Sequence, residues 1–222
     1  IIKMLNVVDD NLVVDSKGIY SIENYLTSRR LMYWQVYLHK TTVGYEKLLV
    51  NLLSRAKYLA DQGETLFATP ALHFFLYNHI DKEAFVDNAE PLQHYKMLDD
   101  SDIWASVKAW TTHRDPILSL LSRNLIDRRI FKVEVRSTAV EEAEVMDIRH
   151  QIAQRYGLSF DDTAYLVNVS TIRKDMYDIH DDHISILYKD GTIKDITEAS
   201  EILNISLLSK KICKYYLCYQ RF

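Results

Sequence analysis

Apolar residues recur through 22–60 at Ile22, Leu26, Met32, Val36, Val43, Leu48, Leu52, Ala56 and Leu59, close to the helical period. The stretch holds no proline, and its only glycine is Gly44. Leu, Met, Lys, Arg, Glu and Ala, all good helix formers, dominate its second half. The pattern predicts one long helix, about 55–60 Å if unbroken at 1.5 Å per residue. Ser21 is placed to cap its start, with Glu23 in the first turn, where the helix dipole favours an acid. Asp61, Gln62 and Gly63 stop it.

Shorter elements surround this helix. Residues 1–8 read as the end of a helix, 11–14 as a strand, and Asp15 to Gly18 as a turn. Thr69-Pro70 is a cap followed by proline at the first helical position, opening a helix to about His79. Its His73 and His79 read as edge residues. Short helices follow at 82–86 and 91–97. Asp99, Asp100 and Asp102 read as an acidic helix start, and Asp115-Pro116 repeats the cap-then-proline signature. From Phe131 the texture changes. Residues 131–136 alternate like a strand, 140–156 form an amphipathic helix closed by Gly157, and 163–171 form a strand. Residues 184–196 form a hairpin turning at Asp190-Gly191. Thr197 caps a short helix to Leu203, and 211–219 form a last strand. The expected fold is mainly α with a C-terminal α+β subdomain carrying a small, mostly antiparallel sheet. The expected division is 1–130 and 131–222.

Composition narrows the function classes. The chain is 48% apolar and carries a net charge of −4, so it can bury a core and shows no basic signature for nucleic acid. Five glycines and three prolines suit helices. Cys213 and Cys218, five apart on a strand, point to opposite faces and read as reduced, buried thiols of a cytoplasmic protein. No apolar run is long enough to cross a membrane, and no signal peptide is visible. His180-Asp181-Asp182-His183 lies in a loop with no third cluster nearby, which speaks against a metal site there.

The polar content of the long helix is less ordinary. Arg29, Tyr33 and Tyr37 sit at i, i+4 and i+8 on one face, with Lys40 three residues further on. From Arg29 to Tyr37 is roughly 12 Å along the axis, about the reach of a nucleoside triphosphate. A guanidinium can grip phosphate, and tyrosines offer a stacking face and a hydroxyl. The same spacing also suits two packing tyrosines and a solvated arginine, and both readings stand. Arg123, Arg128, Arg129 and Lys132 gather at the end of the 116–126 helix, where the dipole alone would favour them. Lys17 reads equally well as a solvated turn lysine.

The segment Ser28-Arg29-Arg30-Leu31-Met32-Tyr33-Trp34-Gln35-Val36-Tyr37-Leu38-His39-Lys40 resembles the HD-domain deoxynucleoside triphosphate triphosphohydrolases. That family includes dGTPase-like enzymes and the sterile-alpha-motif HD protein. The resemblance continues through 98–104 and 127–132 and covers about the first 135 residues. It implies a long-helix, HD-type helical portion and hydrolysis of a dNTP to deoxynucleoside and triphosphate. It places Arg29 on phosphate, Tyr37 at the sugar and base, and His39 and Lys40 in the supporting wall. Tyr33 stands where animal members carry a histidine. Lys17, Arg128 and Lys132 match positions that hold an activator nucleotide between subunits, which implies a homo-oligomer, dimer or tetramer. The family's His, His-Asp and distant Asp metal ligands have no match here. The expectation is therefore a C-terminal portion of a longer enzyme. In that reading the divalent metal, manganese or magnesium, and the catalytic residues belong to the full-length protein and not to this chain. The competing reading is a nucleotide-binding or oligomerisation module without chemistry. Single-stranded nucleic-acid binding through tyrosines and arginines is disfavoured by the acidic charge.

Overall fold

Leu48, Leu52 and Ala56 recur at every fourth position and are fully buried, which fixes one face of a long helix against a core. The computed structural model describes residues 2–174, 183–200 and 212–222. Its first half runs β1 (Leu5–Val8), β2 (Asn11–Asp15), α1 (Ile19–Met32), α2 (Lys40–Asp61), α3 (Pro70–Tyr77), α4 (Ala84–Asp87), α5 (Ala89–Met97), α6 (Asp100–Trp110) and α7 (Pro116–Ile126). Then come β3 (Lys132–Arg136), α8 (Glu142–Tyr156), β4 (Val167–Lys174), β5 (Ser185–Leu187), β6 (Ile193–Asp195), α9 (Ile196–Ala199) and β7 (Ile212–Tyr219). The fold is mainly α with a small, mostly antiparallel sheet component.

The chain groups into two compact units, Ile1–His39 with Thr171–Tyr215, and Lys40–Ser170 with Tyr216–Phe222. These units cut across the expected division at 130. In the first unit, β2 pairs in parallel with β5, Val14 opposite Ile186, giving a sheet of order β1-β2-β5-β6. Where a helix end is expected over 1–8, Ile2–Met4 form a 3-10 turn and Leu5–Val8 a strand. Asp9 and Asp10 carry positive φ, 49° and 59°, at the two-residue turn between β1 and β2, where the twist of a hairpin requires it. Val14, Ile22, Leu26, Ile186, Ile196 and Ala199 form the core of this unit. Helix α1 starts at Ile19, so Ser21 is inside it and caps nothing. Glu23 is buried and accepts from the Ser200 hydroxyl. Asp195, not Thr197, caps α9, accepting from the Thr197 N–H at 2.8 Å. The expected continuation to Leu203 lies outside the described residues, as do His180, Asp181 and Asp182.

The second unit is built on α2 packed along α7. Val43, Leu48, Leu52 and Ala56 of α2 and Ile117, Leu118, Leu121 and Leu125 of α7 are buried. Each such leucine contributes about 1.5–3 kcal/mol by leaving water. Gly44 is where α2 approaches β3: a Cβ there would meet Val133 Cγ2 at 3.0 Å and the Phe131 carbonyl at 3.4 Å. Asp99 opens α6 through a reciprocal capping box with Asp102. Asp115 caps α7, accepting from the Leu118 N–H at 2.7 Å. Gly157 closes α8 in the left-handed conformation, φ 64°. The strand expected at 163–171 begins later, at Val167. Residues 161–165 form a 3-10 turn instead, held by Arg149 donating to Thr163 Oγ1 at 2.9 Å. The second sheet has the order β3-β7-β4. Cys218 is buried, which pushes its thiol up to about 11, whereas Cys213 is half-buried. Among the described residues no helix is long and apolar enough to cross a membrane.

The single helix expected over 22–60 is two helices. After Met32 the chain makes a π-helical turn over Tyr33–Tyr37, with the Leu38 N–H donating to the Tyr33 carbonyl at 2.8 Å. Leu38 then leaves helical geometry at φ −100°, ψ 12°, and α2 starts afresh at Lys40. Tyr33, Trp34, Val36 and Tyr37 concentrate aromatic and β-branched side chains, which lose rotamer freedom in a regular helix.

Candidate functional site

Arg29 lies in the last turn of α1, and Tyr33 and Tyr37 bound the π turn that follows. The three come together. The Tyr33 and Tyr37 rings meet edge to face, centroids 5.4 Å apart at 61°. The Arg29 guanidinium carbon is 5.8 Å from the Tyr33 ring centre, within cation–π range. The neighbouring Tyr33 hydroxyl, opposed by partial burial and joined to a smaller extent by Tyr25, raises the arginine above its ordinary range. Tyr25 sits one turn before Arg29 on α1. Tyr25 is 50% exposed and Tyr37 53%, so the row faces water.

Among the described residues no carboxylate forms an ion pair with Arg29. Three other arginines are neutralised: Arg55 pairs with Asp115 and Asp162, Arg136 with Glu134 and Glu144, and Arg114 with Glu64. Arg29 lies instead beside the Tyr33 ring, with no carboxylate partner among the described residues. A positive group of that kind beside aromatic faces suits a phosphorylated aromatic ligand. Tyr25 was missed in the sequence, although its i−4 spacing from Arg29 was visible there.

His39 and Lys40 do not continue the row by helical spacing. The chain has left the helix at Leu38, so their expected face no longer follows from the sequence. His39 ends the first unit, Lys40 begins the second, and both are exposed.

Of the remaining candidates, Lys17 lies in the 3-10 turn Ser16–Gly18 of the first unit, its backbone N–H donating to Asp15 at 2.9 Å. Arg128 and Lys132 belong to the second unit. Arg128 follows α7 with φ 57°, a conformation that favours glycine. Its N–H reaches the Leu125 carbonyl at 3.4 Å, and the Arg129 N–H reaches the Asn124 carbonyl at 2.8 Å, closing the helix as a Schellman motif. This turn opens a cavity of about 440 Å³ lined by Arg128, Arg129, Arg221, Asn124, Tyr156 and Gln220, with no acidic residue. Its floor is a relay: Asn124 donates to Gln220 at 2.7 Å, Gln220 to Tyr156 at 3.0 Å, and Tyr156 to the Arg221 carbonyl at 2.6 Å. Lys132 lines a neighbouring concavity with Tyr219, Arg221 and Phe222. It already has an acid, Glu134, at 3.1 Å. Arg136, then Tyr219 and Lys132, bring Glu134 down to about 2. Arg221, Gln220 and Tyr156 carry no local signal, since their nearness to Arg128 depends on tertiary packing.

Among the described residues no group of three or more His, Cys, Asp or Glu is placed to hold a metal ion. His183 lies 3.4 Å from Asp195, and His79 lies 3.2 Å from Asp61. His73 stacks on Tyr77, centroids 4.3 Å apart.

Residues 1–65 match the family model described as HD associated region, a span that includes all of α1 and the Arg29 row. Over 227 residues the chain is 30% identical to the uncharacterized protein YwfO of Bacillus subtilis, covering all of this chain and 49% of that protein. A solved phosphohydrolase from Bacteroides thetaiotaomicron is 57% identical with a TM-score of 0.93, covering all of this chain and 55% of that one. A hypothetical protein from Aquifex aeolicus, at 19% identity and TM-score 0.59, covers 99% of this chain and 47% of its own, and shows likeness of fold alone. The chain spans about half the length of these relatives.

Proposed function

We propose that this chain is the substrate-binding, C-terminal portion of an HD-type phosphohydrolase that splits a dNTP into deoxynucleoside and triphosphate. The observation that carries the reading is the Arg29–Tyr33–Tyr37 row, a guanidinium beside two phenol rings that meet edge to face, with no carboxylate partner among the described residues. In this reading Arg29 binds the phosphates in both ground and transition states. Tyr37 packs on the sugar and excludes a 2′-hydroxyl, while Tyr33 orients Arg29 and lines the base side. His39 and Lys40 contribute to the wall. The divalent metal belongs to residues outside this chain, and no step is assigned to it here. The parent protein is cytoplasmic and acts as a homo-oligomer.

The test is an assay of the full-length parent with each of the four dNTPs and Mn²⁺ or Mg²⁺. Triphosphate release that is lost in Arg29→Ala supports the reading. No release from any dNTP would refute it.

A second reading is favoured by Arg128. A non-glycine residue held at positive φ, in a cavity with two further arginines and no acid, suits an anionic effector such as a second nucleotide. Arg128 would be its principal ligand, with Lys132 as a secondary contact. On this reading the chain is a nucleotide-binding or assembly module whether or not chemistry occurs elsewhere. Stimulation of triphosphate release by a non-substrate nucleotide, lost in Arg128→Ala, would support it.

A further inference from the structure

We propose that the face formed by α3, α4 and α5 in the second unit is a docking surface for a basic amphipathic helix of a partner protein. It uses none of the residues of the Arg29 row or of the Arg128 cavity.

Four aromatic rings run outward from α3. Phe74, stacked on His94 with centroids 4.2 Å apart, meets Phe75 edge to face at 5.3 Å. Phe75 stacks on Phe85 of α4 at 6.4 Å, and Phe85 meets Tyr95 of α5 edge to face at 6.1 Å. The outer end of this ladder is uncovered. Tyr95 is 61% exposed and Val86 83%, and Leu92, three residues before Tyr95 on α5, is exposed beside it. Aromatic and aliphatic side chains gathered on a surface in this way are the ordinary material of a protein interface.

Charge says what covers it. Residues 81–102 hold seven acids and two lysines, a net charge of −5, against −4 for the whole chain. Asp81, Glu83, Glu90 and Asp100 are exposed, and among the described residues none of the four forms an ion pair. Glu64, Glu134 and Glu144 of the same unit, by contrast, each hold an arginine. A second copy docked here about a two-fold axis would set acid against acid. A purely apolar partner would leave the carboxylates unpaired. A helix with apolar residues on one side and lysines or arginines beside them meets both demands. Its apolar residues lie on Leu92 and Val86, its basic stems cross the Phe85 and Tyr95 rings, and their charged ends reach Glu83 and Glu90.

The test titrates the full-length parent protein against a labelled amphipathic peptide of leucine and lysine, and against its twin with glutamate for lysine, by fluorescence anisotropy at two salt concentrations. The lysine peptide is expected to bind, more weakly at high salt, and the glutamate peptide not to bind. Tyr95→Ser and Leu92→Ser should each weaken binding about tenfold, and Glu83→Gln with Glu90→Gln about threefold. Tyr20→Ser, at an exposed tyrosine of the first unit, should leave it unchanged. Circular dichroism confirms that each variant keeps its helix content. Equal binding of the two peptides would overturn the proposal, as would wild-type affinity in both Tyr95→Ser and Leu92→Ser. So would failure of the wild-type protein to bind the lysine peptide, which would mean that the face is already covered in the parent or unused. Sedimentation of the same proteins reads the remaining outcome: a smaller species in Tyr95→Ser would make this face an interface between copies of the chain, and the basic partner would be withdrawn.

Discussion

The Arg55 guanidinium grips both carboxylate oxygens of Asp115, at 2.6 and 3.1 Å, and reaches Asp162 with its remaining nitrogen at 2.9 Å. Tyr58 and Tyr165 stack on it, 5.2 and 5.1 Å from ring centre to guanidinium carbon. The cluster ties α2 to the start of α7 and to the turn before β4. Burial alone would raise the Asp115 carboxyl, but the Arg55 hydrogen bond and the Leu118 N–H outweigh it, and the net direction is down. Asp115→Ala removes both the ion pair and the cap. The expected cost is about 3 kcal/mol, the low end for breaking a buried pair, because Asp162 still faces Arg55. Because the folded carboxyl is depressed, its stabilisation is full above the ordinary value of 3.8 and is lost as pH falls through the folded value. Urea melts at pH 7 and pH 3 should therefore show the variant losing less than the wild type on acidification. Equal losses would mean that Asp115 is not the group titrating.

The break between α1 and α2 predicts uneven protection of the backbone. The π turn over Tyr33–Tyr37 is exposed at Gln35, Val36 and Tyr37, and the His39 N–H reaches the Val36 carbonyl only at 3.4 Å. Residues 48–56 of α2, by contrast, pack on α7. Amides at 33–39 should exchange with solvent at least about tenfold faster than those at 48–56, as local opening there costs less. Uniform protection from 22 to 60 would restore the single continuous helix that hydrophobic periodicity predicts.

What was legible in the sequence was mostly local. Asp99 and Asp115 announce helix starts because a side-chain acceptor next to unpaired N–H groups needs no tertiary partner. Asp190-Gly191 announces a hairpin for the same kind of reason. Arg29, Tyr33 and Tyr37 could be placed together because their spacing is that of a helix surface, and the π turn keeps the two rings in contact. Pairings over long separations were not legible. Nothing in Asn11–Asp15 says that its partner is Ser185–Leu187, so the strand at the start was not joined to the hairpin near the end. Arg221 and Gln220 lie more than ninety residues from Arg128 in sequence, and only the closed second unit brings them to one cavity. Gly44 could be read only as a weak point in a helix until β3 was seen against it.

Lys132 is placed as an effector ligand but is already engaged by Glu134 at 3.1 Å and lies 5.2 Å from the Tyr219 ring centre. An incoming phosphate must compete with that carboxylate. Glu134→Gln removes the competitor and keeps the shape. Nucleotide affinity at this site should rise about 2- to 5-fold, with a larger gain at low salt, where exposed charges are less screened. Titration of the full-length protein with a non-substrate nucleotide at two salt concentrations reads this directly. Unchanged or weaker affinity would place the anion away from Lys132, closer to Arg128 and Arg129.

Arg128 allows a prediction in which stability and binding move in opposite directions. Its φ of 57° is a backbone state that costs a side-chain-bearing residue about 1 kcal/mol and glycine almost nothing. At the position that closes α7, glycine is the ordinary solution. The fold therefore retains an arginine at a position where stability alone would favour glycine. Arg128→Gly should raise the unfolding free energy by up to about 1 kcal/mol while weakening nucleotide binding to the arginine-lined cavity at least tenfold. Arg128→Ala, which keeps the strain and loses the guanidinium, should weaken binding equally without the gain in stability. Chemical denaturation and nucleotide titration on the same two proteins separate the effects. If Arg128→Gly is destabilised, the side chain is holding the turn. If binding is unchanged in both variants, Arg128 is no ligand, and the positive φ is a cost that some other contact offsets.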